Sequence, residues 1–111
     1  MSDITELAFA DEHVGPWLAD LFGAENIEQE VYLDNSGRYA DFWVDLGQFA
    51  IAVEVENDWE ASVKGVGQAM LYAKHEQNVW PLVVVPKGHI EQPEFDYLRE
   101  RSPVAIVEVD Y

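Results

Sequence analysis

Residues 49–56 read FAIAVEVE and predict a strand in which two glutamates interrupt an apolar pattern. Successive side chains of a strand point to opposite faces, so Glu54 and Glu56 share one face with Ala50 and Ala52. The larger apolar side chains point the other way. Two carboxylates on an otherwise apolar face are costly unless they bind a cation or have partners. This strand is therefore the first place to look for a functional site.

The segments on either side of this strand predict an α/β domain with the order α-β-β-β-α-β-α-β. Turn signals of glycine, asparagine and aspartate separate the first three strands, which are expected to form an antiparallel meander. A crossover helix and further strands then imply a central mixed sheet flanked by helices. The expected helices cover residues 11–22, 59–77 and 93–101, and the expected strands cover residues 27–33, 38–46, 49–56, 81–86 and 104–109. Asn57 and Asp58 are expected to cap the second helix, and Glu60 lies three residues after Asn57, as in a capping box.

Length and composition indicate one folded domain over residues 1–111. Hydrophobic residues make up 49% of the chain and include four tryptophans, which is enough to build a packed interior. The chain has no cysteine, which excludes disulfides, thiolate nucleophiles and cysteine-ligated zinc. Its apolar runs are too short to span a membrane and its first residues do not resemble a signal peptide, so a cytoplasmic location is expected.

The charge balance is strongly acidic, with 22 Asp and Glu against 6 Lys and Arg and a formal net charge of −16. At low ionic strength such a chain repels itself and a phosphate backbone. One explanation is an acidic partner-binding protein such as a nucleic-acid mimic, and another is adaptation to multimolar salt. The acids are scattered through every segment, which favours the second explanation. The composition resembles that of halophilic archaeal proteins, and a halophilic archaeon or its virus is the expected source.

A third carboxylate, Asp41, lies on the strand before the glutamate strand. A short turn joins the two strands, so Asp41 and Glu54 could converge on one hard cation. Carboxylate oxygens suit Mg²⁺ or Mn²⁺, whose shell is completed by phosphate and water. The next helix carries Lys64, Gln68 and Tyr72 at i, i+4 and i+8, which places one polar stripe on a single helix face.

Three short motifs lie along these elements, namely residues 39–41 (YAD), residues 54–56 (EVE) and residues 68–72 (QAMLY). They resemble the P-D, E-x-K and Q-x-x-x-Y motifs of the PD-(D/E)xK nuclease superfamily, which includes restriction endonucleases and archaeal Holliday-junction resolvases. The family's restriction endonuclease-like core has the same α-β-β-β-α-β order. The resemblance implies a metal-dependent DNA endonuclease of this type with a variant E-x-E motif.

The resemblance also implies a site and its ligands. Asp41, Glu54 and the backbone carbonyl of Val55 would hold Mg²⁺ or Mn²⁺, and an acidic residue of the first helix often contributes. Glu12 is the candidate for that helix position, ahead of Glu28 and Glu30. The substrate would be DNA, including branched, nicked or single-stranded forms, and a homodimer is the arrangement that the resolvase-like members suggest.

One position departs from the family pattern, because Glu56 replaces the lysine of E-x-K. Lys64 could reach into the site from the helix, or Glu56 could act as a further metal ligand or orient the attacking water. The remaining alternative is a catalytically inactive nuclease-fold module that binds DNA or a protein partner, and an acidic decoy of a DNA-binding protein is a third reading. Plainer explanations also stand: Arg38 could neutralise Asp41, and the two glutamates could face solvent on an edge strand.

Overall fold

The computed structural model describes residues 4–88 and 92–111 and shows a five-stranded mixed sheet with helices on both faces. The predicted α/β class, the order of elements and the flanking helices are confirmed. The elements in chain order are α1 (Glu6–Phe9), a π-helical turn (Ala10–Val14), α2 (Gly15–Phe22), a 3₁₀ turn (Ala24–Asn26), β1 (Ile27–Leu33), β2 (Arg38–Asp45), β3 (Ala50–Val55), α3 (Trp59–His75), β4 (Val79–Pro86), α4 (Gln92–Arg101) and β5 (Ala105–Val109).

The strands lie in the sheet in chain order, from β1 to β5. The first three strands form the predicted antiparallel meander, and β3, β4 and β5 run parallel, joined by α3 and α4. Strand β3 is therefore the middle strand. The exposed fractions of Glu54 and Glu56 are only 4% and 8%, so these side chains do not face solvent on an edge strand.

One face of the sheet is covered by the N-terminal helical segment. Phe9, Val14 and Leu18 are fully buried there and pack against a cluster that includes Val53 and Val55 of β3. The first two of these side chains are five residues apart, because the chain forms a π-helical turn at Ala10–Val14. The helical segment begins at Glu6, after the Thr5 side chain accepts a hydrogen bond from the amide of Ala8 (3.1 Å), rather than at residue 11 as predicted.

The other face of the sheet is covered by α3 and α4. Val66 and Ala69 of α3 pack with Phe95 of α4 against β4 and β5. Tyr72, also on α3, is fully buried in a neighbouring cluster with Ala52 of β3. The alternation predicted for β3 is thus confirmed, since Ala52 lies on the α3 side and Val53 on the side of the N-terminal helices.

The two faces of the β1–β2 hairpin exchange in its middle, where the ladder is interrupted. The ladder pairs Gln29 with Phe42 and resumes at Val31 with Ala40, which skips Glu30 and Asp41. Glu30 has a φ of 54°, a left-handed conformation that costs a non-glycine residue on the order of 1–2 kcal/mol. Beyond this point the faces exchange: Phe42 packs under the N-terminal helices, whereas Ala40 packs near α3. Asp41 lies at the point of β2 where this exchange of faces occurs.

Helix α3 starts at a cap one residue later than the capping box predicts. The Asp58 side chain accepts a hydrogen bond from the amide of Ala61 at 2.8 Å. The Asn57 side chain instead donates to the carbonyl of Ile4 at 3.0 Å, which ties the N-terminal segment to the start of α3. Within the described part of the chain, every helix is too short or too polar to cross a bilayer.

Candidate functional site

The Asp41 carboxylate lies at the point where strands β2 and β3 separate. The antiparallel ladder between these strands ends at the pair of Phe42 and Val53. One pair further along, the Asp41 Oδ2 atom accepts a hydrogen bond from the backbone amide of Val55 at 2.7 Å. Burial raises the pKa of Asp41, and the Val55 amide opposes this rise. The side chain is thus fixed beside the last residue of β3.

Glu54 lies between the sheet and α3. Its carboxyl group is hydrogen-bonded to Asp41 and accepts a hydrogen bond from the hydroxyl of Tyr72. The same hydroxyl approaches the backbone carbonyl of Tyr39 at 2.8 Å. Burial, followed by the charge of Asp41, raises the pKa of Glu54 to about 8. Near neutral pH the metal-free pair therefore retains a proton, which Glu54 donates to the Asp41 carboxylate.

Glu56 forms a second carboxyl pair with Glu6 of α1. Burial, followed by the charges of Glu6, Glu54 and Asp41, raises the pKa of Glu56 to about 9. Partial burial and the charge of Asp41 also raise the pKa of Glu6, whose carboxylate accepts the hydrogen bond from Glu56. The four side chains thus form two acid–carboxylate pairs, Glu54 with Asp41 and Glu56 with Glu6, and we call them the carboxyl cluster.

The close approach of Glu56 to α3 depends on a glycine. A Cβ atom placed on Gly65 would lie 2.8 Å from Glu56 Cγ and 3.0 Å from its Oε1. Two residues further along, a Cβ atom on Gly67 would meet nothing within 4 Å. Gly65 therefore provides the space that Glu56 occupies, whereas Gly67 has no comparable packing role.

A small cavity of about 110 Å³ opens beside the carboxyl cluster. It is lined by side chains of α1, β1, β2 and β3, namely Glu6, Leu7, Ala10, Gln29, Glu30, Asp41 and Val55. Val55, whose carbonyl is a predicted metal ligand, thus lies at the same cavity as Asp41. Among residues 4–88 and 92–111, no group of three or more Asp, Glu, His or Cys side chains is arranged to hold a metal ion. The predicted metal pair, Asp41 and Glu54, is brought together.

The three residues of the predicted polar stripe on α3 have different environments. Tyr72 is fully buried and contacts Glu54, as described above. Gln68 is half-buried one helical turn earlier. The Lys64 side chain is exposed, and among the described residues it forms no hydrogen bond or ion pair. The structure therefore joins Tyr72 to the carboxyl cluster but leaves Lys64 at the surface.

The first-helix candidate, Glu12, does not join the carboxyl cluster. It lines a different pocket of about 500 Å³, together with Trp17, Lys87 and Asp110. Glu12 lies six residues after Glu6 in the N-terminal helical segment, so the two side chains point to different sides of that segment. Of the two alternatives, Glu30 lines the small cavity beside Asp41. Glu28 is exposed on β1, opposite Trp43.

Glu6 is the acidic residue that the sequence analysis missed. Thr5 is a good N-cap residue, and Leu7 and Phe9 follow it, so the start of a helix at residue 6 was readable from the sequence. The apolar spacing obscured it, because the π-helical turn puts Phe9 and Val14 on one face at a five-residue interval. A search for the usual intervals of three and four residues does not connect them.

Comparisons with known proteins give no match: no family model matches the chain, and no curated protein or solved structure is significantly similar to it.

Proposed function

We propose that this domain is a metal-dependent DNA endonuclease of the PD-(D/E)xK type with a variant E-x-E motif. The observation that carries the proposal is the contact between Asp41 and Glu54 at the point where β2 and β3 separate, with Val55 at the same cavity. The α-β-β-β-α-β order and the contact from Tyr72 of the Q-x-x-x-Y motif support it. The restriction endonuclease-like topology is part of this proposal.

The donor atoms suit Mg²⁺ or Mn²⁺. Asp41, Glu54 and the Val55 carbonyl offer oxygen ligands, and Mg²⁺ commonly uses one or two carboxylates together with water and phosphate. The raised pKa values of the carboxyl cluster reflect burial and mutual repulsion, which a divalent cation relieves. Such an ion lowers the pKa of a bound water and stabilises charge on a phosphate.

The chain's own residues then have separate roles. Tyr72 orients the Glu54 carboxyl group, and the Val55 amide fixes Asp41. Glu56 stands where the family has lysine, and its pKa of about 9 means that it is an uncharged acid near neutral pH. In that form Glu56 offers an O–H donor in place of an ammonium group, and Glu6 accepts this hydrogen bond in the free protein.

The proposal is tested by incubating supercoiled, nicked, branched and single-stranded DNA with the protein in concentrated KCl, with and without Mg²⁺ or Mn²⁺. We expect metal-dependent cleavage that is lost in Asp41→Asn and Glu54→Gln and retained in Glu28→Gln, an exposed glutamate on β1. The unfolding midpoints of the variants show that the loss is not a loss of fold. Intact DNA of every form would refute the proposal.

A second candidate function is a nuclease-fold module that binds DNA or a protein partner without hydrolysis. The observation that favours it is the exposed Lys64, which leaves the carboxyl cluster without a contacting cation among the described residues. In that case Glu54→Gln binds like the wild type and no metal-dependent turnover is seen.

A further inference from the structure

Two tyrosine rings lie exposed and side by side on the β1–β2 hairpin. Tyr32 and Tyr39 are direct partners in the ladder, and their ring centroids are 5.1 Å apart. The exposed fractions are 50% for Tyr32 and 64% for Tyr39. A cross-strand aromatic pair stabilises a hairpin. Half or more of each side chain nevertheless stays open to a ligand.

This pair adjoins the carboxyl cluster. The backbone carbonyl of Tyr39 lies 2.8 Å from the hydroxyl of Tyr72, which also contacts Glu54. Asp41 follows Tyr39 by two residues on β2, a separation of about 7 Å along a strand. The tyrosine pair thus lies on the part of the hairpin next to Asp41.

A free cation flanks the rings. Arg38 precedes Tyr39, is exposed, and forms no ion pair within the described residues, whereas Lys87, Arg99 and Arg101 each pair with an acid. An unpaired guanidinium in a chain of net charge −16 is complementary to a phosphate.

We propose that Tyr32, Arg38 and Tyr39 form a nucleotide platform that binds single-stranded DNA beside the carboxyl cluster. The rings stack on unpaired bases, as aromatic side chains do in proteins that bind single strands, and the guanidinium contacts the phosphate. The choice of DNA rests on the proposed function. The inference narrows the substrate to DNA with unpaired nucleotides, because bases stacked inside a duplex do not present their faces to the rings.

The test is fluorescence anisotropy with a labelled oligo-dT strand and a labelled duplex, in metal-free buffer over a series of KCl concentrations. Stacking of about 1–3 kcal/mol per base corresponds to roughly 5- to 150-fold in affinity. We expect a loss of this size for oligo-dT in the Tyr32→Leu/Tyr39→Leu double variant. The matched control is Phe49→Leu/Trp80→Leu, which removes a second exposed aromatic pair with ring centroids 5.5 Å apart. This pair lies where β3 begins, whereas Glu54 lies near the end of that strand. It should leave the affinity unchanged.

Arg38→Gln provides an independent readout. Loss of one phosphate contact should reduce the slope of log affinity against log salt by about 0.7 for a single strand. An unchanged slope would argue against the phosphate contact. Equal losses in the two aromatic double variants, or no loss in either, would overturn the platform, as would tighter binding to the duplex than to oligo-dT. Unfolding midpoints of the variants identify any loss that follows from a destabilised hairpin, which would also count against it.

The two proposals fail separately. If the protein binds oligo-dT through the tyrosine pair but cleaves no DNA with Mg²⁺ or Mn²⁺, the platform stands and the endonuclease proposal falls. If the protein cleaves DNA and the tyrosine variants cleave single strands and duplexes in the wild-type ratio, the endonuclease proposal stands and the platform falls.

Discussion

Two glycines of α3, only two residues apart, should respond to alanine in opposite directions. Alanine is more favourable than glycine inside a helix by about 0.8–1.0 kcal/mol. Gly67 has open space around its missing Cβ, so Gly67→Ala should stabilise the protein by about that amount. At Gly65 the new Cβ would meet Glu56 Cγ at 2.8 Å, and overpacking of this kind costs about 1–3 kcal/mol. The net expectation for Gly65→Ala lies between no change and a loss of about 2 kcal/mol.

Urea unfolding at fixed pH measures this difference directly, provided that the slope of the transition is the same in all variants. The reason for the difference is tested by a cycle with Glu56→Ala, because removal of the Glu56 side chain should turn Gly65→Ala into a stabilising change. If Gly65→Ala stabilises the wild-type background as much as Gly67→Ala does, Glu56 is not packed against α3. The placement of Glu56 in the carboxyl cluster would then be wrong.

Three further predictions follow from the same contacts. The pKa values of about 8 for Glu54 and about 9 for Glu56 lie above the ordinary value of 4.5, so the folded state retains protons that the unfolded state releases. The stability that these two groups contribute is therefore present in full below about pH 4.5 and is lost as pH rises through 8–9. Urea midpoints should fall between about pH 6 and about pH 9.5 without divalent metal, and should fall less in Glu56→Gln. Asp58→Ala removes the cap of α3 and should cost about 1 kcal/mol in the same unfolding assay. Glu30→Gly removes the cost of a left-handed non-glycine residue and should raise the free energy of unfolding, whereas Glu28→Gly on the same strand should lower it by about 0.5–1 kcal/mol. Equal effects of the two substitutions would contradict the strain at residue 30.

Much of the fold was predictable because its strands are short and bounded by strong turn signals. The observed bounds of β1, Ile27–Leu33, equal the predicted ones, β2 ends one residue earlier than predicted, and β3 is one residue shorter at each end. The alternation in β3 correctly placed Glu54 on the side opposite Val53. The sequence could not show how deeply Glu54 is buried, because that depends on α3 covering the same face.

The errors have local physical causes. The π-helical turn at Ala10–Val14 changed the spacing of the first helix, so its start at Glu6 was missed and Glu12 was chosen instead. The left-handed conformation of Glu30 is unusual for glutamate and has no signal in the sequence. The side-chain direction of Lys64 was also left open, since a position on a polar stripe does not say whether a long side chain bends towards the sheet.

The most direct test of the account is calorimetric titration of the metal-free protein with Mn²⁺ near neutral pH, in two buffers of different ionisation enthalpy. The carboxyl cluster holds protons in the absence of metal, so binding should release protons, seen as a difference in apparent heat between the buffers. Asp41→Asn and Glu54→Gln should each abolish the binding, and Glu28→Gln should preserve it. Failure to bind Mn²⁺, or binding that survives both substitutions, would contradict the assignment of Asp41 and Glu54 as a metal site.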